Sequence, residues 1–185
     1  TVMFDEMTPS IIMAGFPMLD WIDIAMSPVC LPGEVDQNAN IMYVDAAERM
    51  GLAADVCPLP SAEVGCAIVD DYPQVGSSFI TSSMPCDGSL GAALFMDRYM
   101  KKLPSFTLTP PQRFNEPETN AYAVKDLKNC IRFIEETYHV KWDWDAFWEK
   151  AEEYNKTTQC MLDKWDVNCT PYPQVIGSAL SLQRE

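Results

Sequence analysis

The chain has 185 residues, of which 48% are hydrophobic and 22% are charged. This composition is typical of a folded globular protein, and it excludes a disordered tail, a collagen-like fibre and a polar linker. Thirteen Lys and Arg residues stand against 27 Asp and Glu residues, which gives a formal net charge of −14. Nucleic acids and anionic membrane surfaces bind clustered basic residues, so we expect neither as a partner of this acidic chain.

The first half of the chain predicts several short elements. We expect a short helix at 10–15 and a β-like run at 41–44. A helix over 45–51 follows, which Gly51 can end, and a weak helix is predicted at 61–69.

The clearest predicted unit lies between residues 77 and 111. A buried strand at 78–82 is followed by a turn at 85–88 and a helix at 89–100, with Asp87 or Ser89 as its N-cap. A second short strand is expected at 106–108. Strand–helix–strand spacing favours a parallel sheet with right-handed crossovers.

Two long amphipathic helices are predicted after this unit. The first carries apolar residues at helical spacing on one face, namely Val124, Leu127, Ile131, Ile134 and Tyr138. The second, over 144–165, carries a stripe that we expect in the core, namely Trp148, Ala151, Tyr154, Leu162 and Trp165. The predicted fold is therefore a three-layer α/β/α domain with a short parallel sheet, followed by two long amphipathic helices.

The seven cysteines do not form a known spacing motif. Their number is odd and no CxxC pair occurs, which disfavours a zinc ribbon, a thioredoxin-type motif and a ferredoxin run. They are also too sparse for a disulfide scaffold. We therefore expect reduced thiols in a cytoplasmic protein.

Cys57 and Cys86 differ from the other cysteines because each is next to a proline, at a predicted chain reversal. Cys86 also precedes a predicted helix, whose N-terminus lowers the pKa of a thiol. Ligands of open α/β sheets bind beyond the carboxyl ends of the strands. A thiolate facing a cofactor is one interpretation of Cys86, and an incidental cysteine in a plain βα turn is the other.

Common active-site motifs are missing from the sequence. His139 is the only histidine, and neither GxSxG, a Walker A loop nor GxGxxG occurs. No spacing singles out a pair of carboxylates for acid–base catalysis. The sequence therefore identifies no catalytic residue.

An ordered set of short stretches resembles the 2-hydroxyacyl-CoA dehydratase family, which includes 2-hydroxyglutaryl-CoA dehydratase-like and benzoyl-CoA reductase-like subunits. The set consists of residues 7–17, Cys57-Pro58 with Gly65, residues 82–88, residues 108–111, residues 133–136, a Lys-Trp-Asp segment and residues 153–155. The resemblance extends over essentially the whole chain. Subunits of this family are longer and have two similar α/β lobes, so the resemblance implies an N-terminal-half fragment.

The resemblance also implies a cofactor and a domain organisation. Family members hold a [4Fe-4S] cluster with three cysteines, and the ligand roles fall here on Cys57 and Cys86. The third ligand lies outside this chain or is unknown, with Cys30, Cys66 and Cys169 as fallback candidates. We expect an α/β cluster-binding lobe at 1–118, a helical hairpin at 119–170 that links to a second lobe, and the start of that lobe at 171–185.

The implied activity is that of one subunit of an oxygen-sensitive (R)-2-hydroxyacyl-CoA dehydratase, a lyase that works as a heterodimer with a related subunit. An ATP-dependent iron–sulfur activator supplies one electron, and water leaves through a ketyl radical to give an enoyl-CoA. The CoA phosphates need basic groups, which we expect from the second lobe or the partner subunit. The alternatives are an ATP-driven reductase of benzoyl-CoA or double-cubane type and a non-catalytic partner subunit of the same fold.

Overall fold

The computed structural model describes residues 1–5, 10–23, 29, 31–36, 38–72, 74–83, 87–99, 103–111, 113 and 116–172. The chain divides into two units, of which the first comprises Thr1–Pro9 with Met18–Lys141 and the second comprises Ser10–Pro17 with Trp142–Glu185. Among the described residues, the first unit contains the sheet and five helices. The second contains a short 3₁₀ helix, η1, and a long helix.

The strands and helices follow one another along the chain, with the first strand at its beginning. In order they are β1 (Val2–Phe4), η1 (Ser10–Gly15), β2 (Trp21–Asp23), α1 (Leu31–Val35), α2 (Ile41–Arg49), α3 (Pro58–Ile68), β3 (Ser78–Ser82), α4 (Asp87–Tyr99), β4 (Ser105–Leu108), α5 (Pro117–Tyr138) and α6 (Trp144–Asn168).

The four strands form one parallel sheet in the order β2-β1-β3-β4. Met3 of β1 pairs with Ile22 of β2 and with Phe79 of β3, while Ile80 of β3 pairs with Phe106 of β4. From β1 the chain moves outward to β2 and then returns past β1 to form β3. The direction of winding therefore reverses between β1 and β3, which is the topological switch point of the sheet.

Helices cover both faces of this sheet. On one face, Met3 and Phe79 are fully buried in a cluster that includes Tyr43 of α2, Ala62 of α3 and Ala92 of α4. All five residues of β3 are buried, as expected for a parallel strand covered on both faces.

On the other face, α5 packs through its C-terminal half. The rings of Phe106 and Phe133 lie 5.6 Å apart, and the Tyr138 hydroxyl is 2.8 Å from the Ser78 hydroxyl. Ile134 is fully buried, whereas Val124, near the beginning of the predicted apolar face, is half exposed. The predicted α/β fold with a short parallel sheet and long C-terminal helices is confirmed.

The predicted strand at 41–44 is wrong, because these residues begin α2. Tyr43 and Ala47 are the buried residues of this helix, and their spacing of four places them on one helical face. The predicted end of this helix is confirmed: Gly51 has φ +101°, and its N–H donates to the carbonyl of Glu48 at 2.9 Å. The helix predicted at 89–100 already begins at Asp87.

The second unit is built around α6. Asp143 precedes this helix, and its Oδ1 accepts the N–H groups of Asp145 and Ala146 at 2.9 and 3.0 Å. The N–H of Asp143 donates in turn to the carbonyl of Gly15, the last residue of η1, at 2.9 Å. The ring of Trp142 lies 5.2 Å from that of Phe16. These contacts hold the short 3₁₀ helix against the beginning of α6.

The prediction that the apolar stripe of α6 lies in the core is wrong for most of its described side chains. Trp148, Tyr154 and Leu162 are 60%, 55% and 54% exposed. Helical spacing shows that such residues share a face, but burial needs a neighbouring element, and η1 lies at the beginning of the helix. None of the described helices combines the length and apolar character that crossing a bilayer requires.

Candidate functional site

A buried carboxyl group lies at the carboxyl edge of the sheet, at the switch point between β1 and β3. Asp5 directly follows β1 and is only 6% exposed. Its backbone N–H donates to the carbonyl of Ile80 at 3.2 Å, and its Oδ2 accepts the backbone N–H of Ser82 at 2.6 Å. The side chain of Asp5 therefore joins the ends of the two middle strands at the edge where ligands of such sheets bind.

The end of β3 is also joined to β4. The N–H of Ser83 donates to the carbonyl of Leu108 at 2.9 Å, and the hydroxyls of Thr81 and Thr107 lie 2.9 Å apart. Thr109, the residue that follows β4, donates its N–H to Oδ2 of Asp126 in α5 at 2.7 Å. A series of hydrogen bonds therefore runs along this edge from β1 to α5.

Cys57 is the residue that directly precedes α3, and its side chain is exposed. The carbonyl of Cys57 accepts two hydrogen bonds from Ser61, one from the N–H at 3.3 Å and one from the hydroxyl at 2.9 Å. These bonds close the first turn of the helix. The thiol is thus accessible while the backbone that carries it is held in place.

Cys86 lies outside the described residues, and so does Cys30, one of the fallback candidates. Asp87, which follows Cys86 in the sequence, is the first residue of α4. The two helices that follow the proposed ligands, α3 and α4, pack against each other.

The position of α3 is fixed by its close contact with α2. A Cβ atom built on Gly65 would lie 1.8 Å from the carbonyl oxygen of Tyr43, so only glycine allows the two backbones to approach this closely. The Tyr43 hydroxyl donates to Oδ2 of Asp71 at 2.6 Å. This hydrogen bond is the main reason, and burial the second, why the pKa of Tyr43 is raised to about 12.

Two of the other cysteines are buried and neutral. The Cys66 thiol donates to the carbonyl of Asp71 at 2.8 Å, and burial together with the nearby charges of Asp71 and Glu63 raises its pKa to about 12. Burial and the charge of Asp126 raise the pKa of Cys130 to about 12 as well. Both side chains are fully buried, and the Cys66 thiol is already hydrogen-bonded within the protein, so neither thiol is accessible in the way that Cys57 is.

A family model described as 2-hydroxyglutaryl-CoA dehydratase, D-component, matches residues 31–183. The chain belongs to this family. The match covers most of the sequence and includes Cys57, Gly65 and Cys86, which confirms the family that the ordered motifs predicted. No curated protein matches the chain significantly.

The residues that the structure describes do not by themselves form a metal site. Within the ranges that the structure describes, no three His, Cys, Asp or Glu side chains are grouped closely enough to hold a metal ion. Cys160 and Cys169 are exposed, but both belong to the second unit. Among the described thiols of the first unit, Cys57 alone combines exposure with a position at the beginning of a helix.

Asp5 and Asp126 are the site residues that sequence analysis missed. Both bind backbone N–H groups at strand ends, so their role depends on strand pairing. The three apolar residues before Asp5 were too short a run to predict β1. The only signal for Asp5 in the sequence was an acidic residue directly after a short apolar run, a pattern too common to identify a site residue.

Proposed function

We propose that the chain is a subunit of an oxygen-sensitive iron–sulfur (R)-2-hydroxyacyl-CoA dehydratase, which acts as a heterodimer with a related subunit. The family match carries this proposal, because it extends over both proline-flanked cysteines. The reaction class is that of a lyase that eliminates water to give an enoyl-CoA.

Cys57 and Cys86 are the proposed ligands of a [4Fe-4S] cluster. The exposed thiol of Cys57 supports its assignment, whereas the fallback candidate Cys66 is fully buried and its thiol donates to the carbonyl of Asp71. The packing of α3 against α4, the two helices that these cysteines precede in the sequence, also supports the pairing of the two proposed ligands. The third ligand would come from outside this chain.

The difficulty of the reaction lies in the β-proton of the substrate, which is not acidic. When bound by Cys57 and Cys86, the proposed cluster would supply one-electron chemistry for activating the thioester, with an ATP-dependent activator protein as the source of the electron. The proposed part of this chain is to supply thiolate ligands from the residues that precede α3 and α4 in the sequence. Its formal charge of −14 suits it poorly to bind the CoA phosphates, so the proposed source of their basic partners is the other subunit or a second lobe.

The ligand assignment is tested on the complex purified without oxygen, by iron analysis and by EPR spectroscopy after reduction. We expect a cluster in the wild type and its loss in Cys57→Ala and in Cys86→Ala. Cys160→Ala is the matched control, because it removes an exposed thiol with no proposed role. A Cys86→Ala complex with a full cluster would overturn the assignment.

The reaction class is tested by incubating the complex with the activator, ATP and candidate acyl-CoA thioesters. A dehydratase forms an enoyl-CoA without net consumption of electrons. Electron consumption in proportion to product would instead identify a reductase of the benzoyl-CoA or double-cubane type. A wild-type chain that lacks iron beside an active partner would identify a non-catalytic subunit.

A further inference from the structure

Two tryptophan side chains are exposed on the first turns of α6. Trp144 is 53% exposed and Trp148 is 60% exposed, and their rings stack with centroids 6.4 Å apart and planes at 27°. Phe147 lies edge-on to both rings, with centroids 5.8 and 5.1 Å away. The ring of Trp142 lies 5.4 Å from that of Trp144. Neighbouring rings therefore hold the pair in place, although about half of each side chain is open to solvent.

The area that this pair exposes is large for a protein that acts alone, since monomers rarely expose contiguous apolar patches of more than a few hundred Å². A whole tryptophan side chain presents about 250 Å², so the exposed fractions of the two correspond to roughly 280 Å². Protein interfaces of standard size bury about 800 Å² on each partner, and tryptophan is one of the residues that dominate binding at their centre. The pair therefore provides about a third of such an area. Because the rings already hold one another, little side-chain entropy is lost when a partner covers them.

Acidic residues flank the pair on one side of the helix. At about 100° per residue, Asp145, Glu149 and Glu152 fall within about 60° of one another, next to the tryptophans. All three side chains are exposed. Lys150, on the same turns, is paired with Glu153 at 2.7 Å. Aromatic rings beside carboxylates bind arginine and lysine, through cation–π contacts and charge-assisted hydrogen bonds. The charge here is thus complementary to a partner that is both apolar and basic.

The aromatic pair and its acidic flank form what we call the α6 surface, which consists of Trp144, Trp148, Asp145, Glu149 and Glu152. We propose that the α6 surface docks the related subunit, through arginine or lysine side chains that lie beside apolar residues of that subunit. The inference rests on the proposed function, which includes this subunit. A second copy of the chain fits poorly, because it would bring the same acidic flank and another net charge of −14. The proposed function also needs a basic component besides this chain, since the CoA phosphates require basic groups.

The aromatic part is tested by the dissociation constant between the chain and the separately purified related subunit, measured by calorimetry. Trp148→Ala should raise this constant about 30-fold, as expected for a central aromatic anchor. Leu94→Ala is the matched control, because Leu94 is similarly exposed but lies on α4, and it should leave the constant unchanged. Circular dichroism should show unchanged folding in both variants, since both side chains are exposed. A wild-type dissociation constant in Trp148→Ala would overturn the proposal.

The charged part is tested with the double variant Glu149→Lys/Glu152→Lys. The control is Asp45→Lys/Glu48→Lys, which makes the same change of net charge at the same spacing on α2. Only the α6 variant should weaken binding about tenfold at low salt, and wild-type binding should weaken as salt is added. Binding that is insensitive to salt would overturn the basic partner. A dimer of the chain alone that Trp148→Ala abolishes would assign the surface to a second copy instead.

Formation of enoyl-CoA by the assembled complex is measured separately, so that the docking surface and the proposed function are judged independently. A complex that docks through the α6 surface but forms no enoyl-CoA would overturn the proposed function and support the docking surface. An active dehydratase whose assembly is insensitive to both α6 variants would overturn the docking surface alone.

Discussion

The contact between α2 and α3 makes a sharp prediction about Gly65. In Gly65→Ala, the new Cβ atom would lie 1.8 Å from the carbonyl oxygen of Tyr43 and 2.3 Å from the carbonyl carbon. Ordinary contact begins at 3.4 Å, so the two helices would have to separate by about 1.6 Å. The clashing atoms are backbone atoms of Tyr43, so the clash cannot be relieved by a change of side-chain rotamer. The strain must therefore be relieved by moving α3 as a whole.

Overpacking of this kind costs about 1–3 kcal/mol, and a clash with backbone belongs at the upper end. Alanine regains about 1 kcal/mol in helix propensity relative to glycine. We expect Gly65→Ala to lower the free energy of unfolding by about 1–2 kcal/mol. For a chain of this length, this corresponds to a fall of about 2–8 °C in the melting temperature.

Gly91 provides a matched control, because it also lies inside a helix, α4, but a Cβ atom built on it meets nothing within 4 Å. Gly91→Ala should therefore stabilise the chain by about 0.4–1 kcal/mol. The assay is thermal unfolding of both variants, followed by circular dichroism. A Gly65→Ala variant that melts at or above the wild-type temperature would refute the close approach of α2 and α3.

Three further predictions follow from named contacts. Tyr138→Phe removes the hydroxyl that is bonded to Ser78 and to the carbonyl of Thr1, so it should lower the free energy of unfolding in urea by about 1–3 kcal/mol. The control Tyr154→Phe, at an exposed position, should leave this free energy nearly unchanged. Because the pKa of Cys66 rises from 9.0 in an exposed thiol to about 12, its contribution to stability is complete below pH 9. This contribution should fall as pH rises from 9 toward 12, and Cys66→Ser should flatten that part of the stability curve. An alkylating reagent at pH 8 should label Cys57 in the native chain and label Cys66 only after denaturation, as peptide mapping would show.

Elements with a local signal in their own residues or in the turns that bound them were predicted well. The strands β3 and β4 and the helices η1, α4 and α6 were each predicted within a few residues of their observed bounds. The run at 41–44 is β-branched and aromatic in part, which favours a strand locally. It forms the start of α2 because Tyr43 and Ala47 are buried together against the core, and this tertiary contact outweighs local preference.

The candidate site was harder to predict because it depends on pairing between distant residues. The cysteines could be proposed from their neighbours in sequence, since a proline and a following helix are local signals. Asp5 could not, because its partner Ser82 is 77 residues away, and β1 has three residues, too few to show alternation. A strand of this length becomes recognisable only when its neighbours β2 and β3 are known. The proposed thiol ligands could therefore be named from sequence, whereas the carboxyl groups that bind backbone at this edge are found only from the fold.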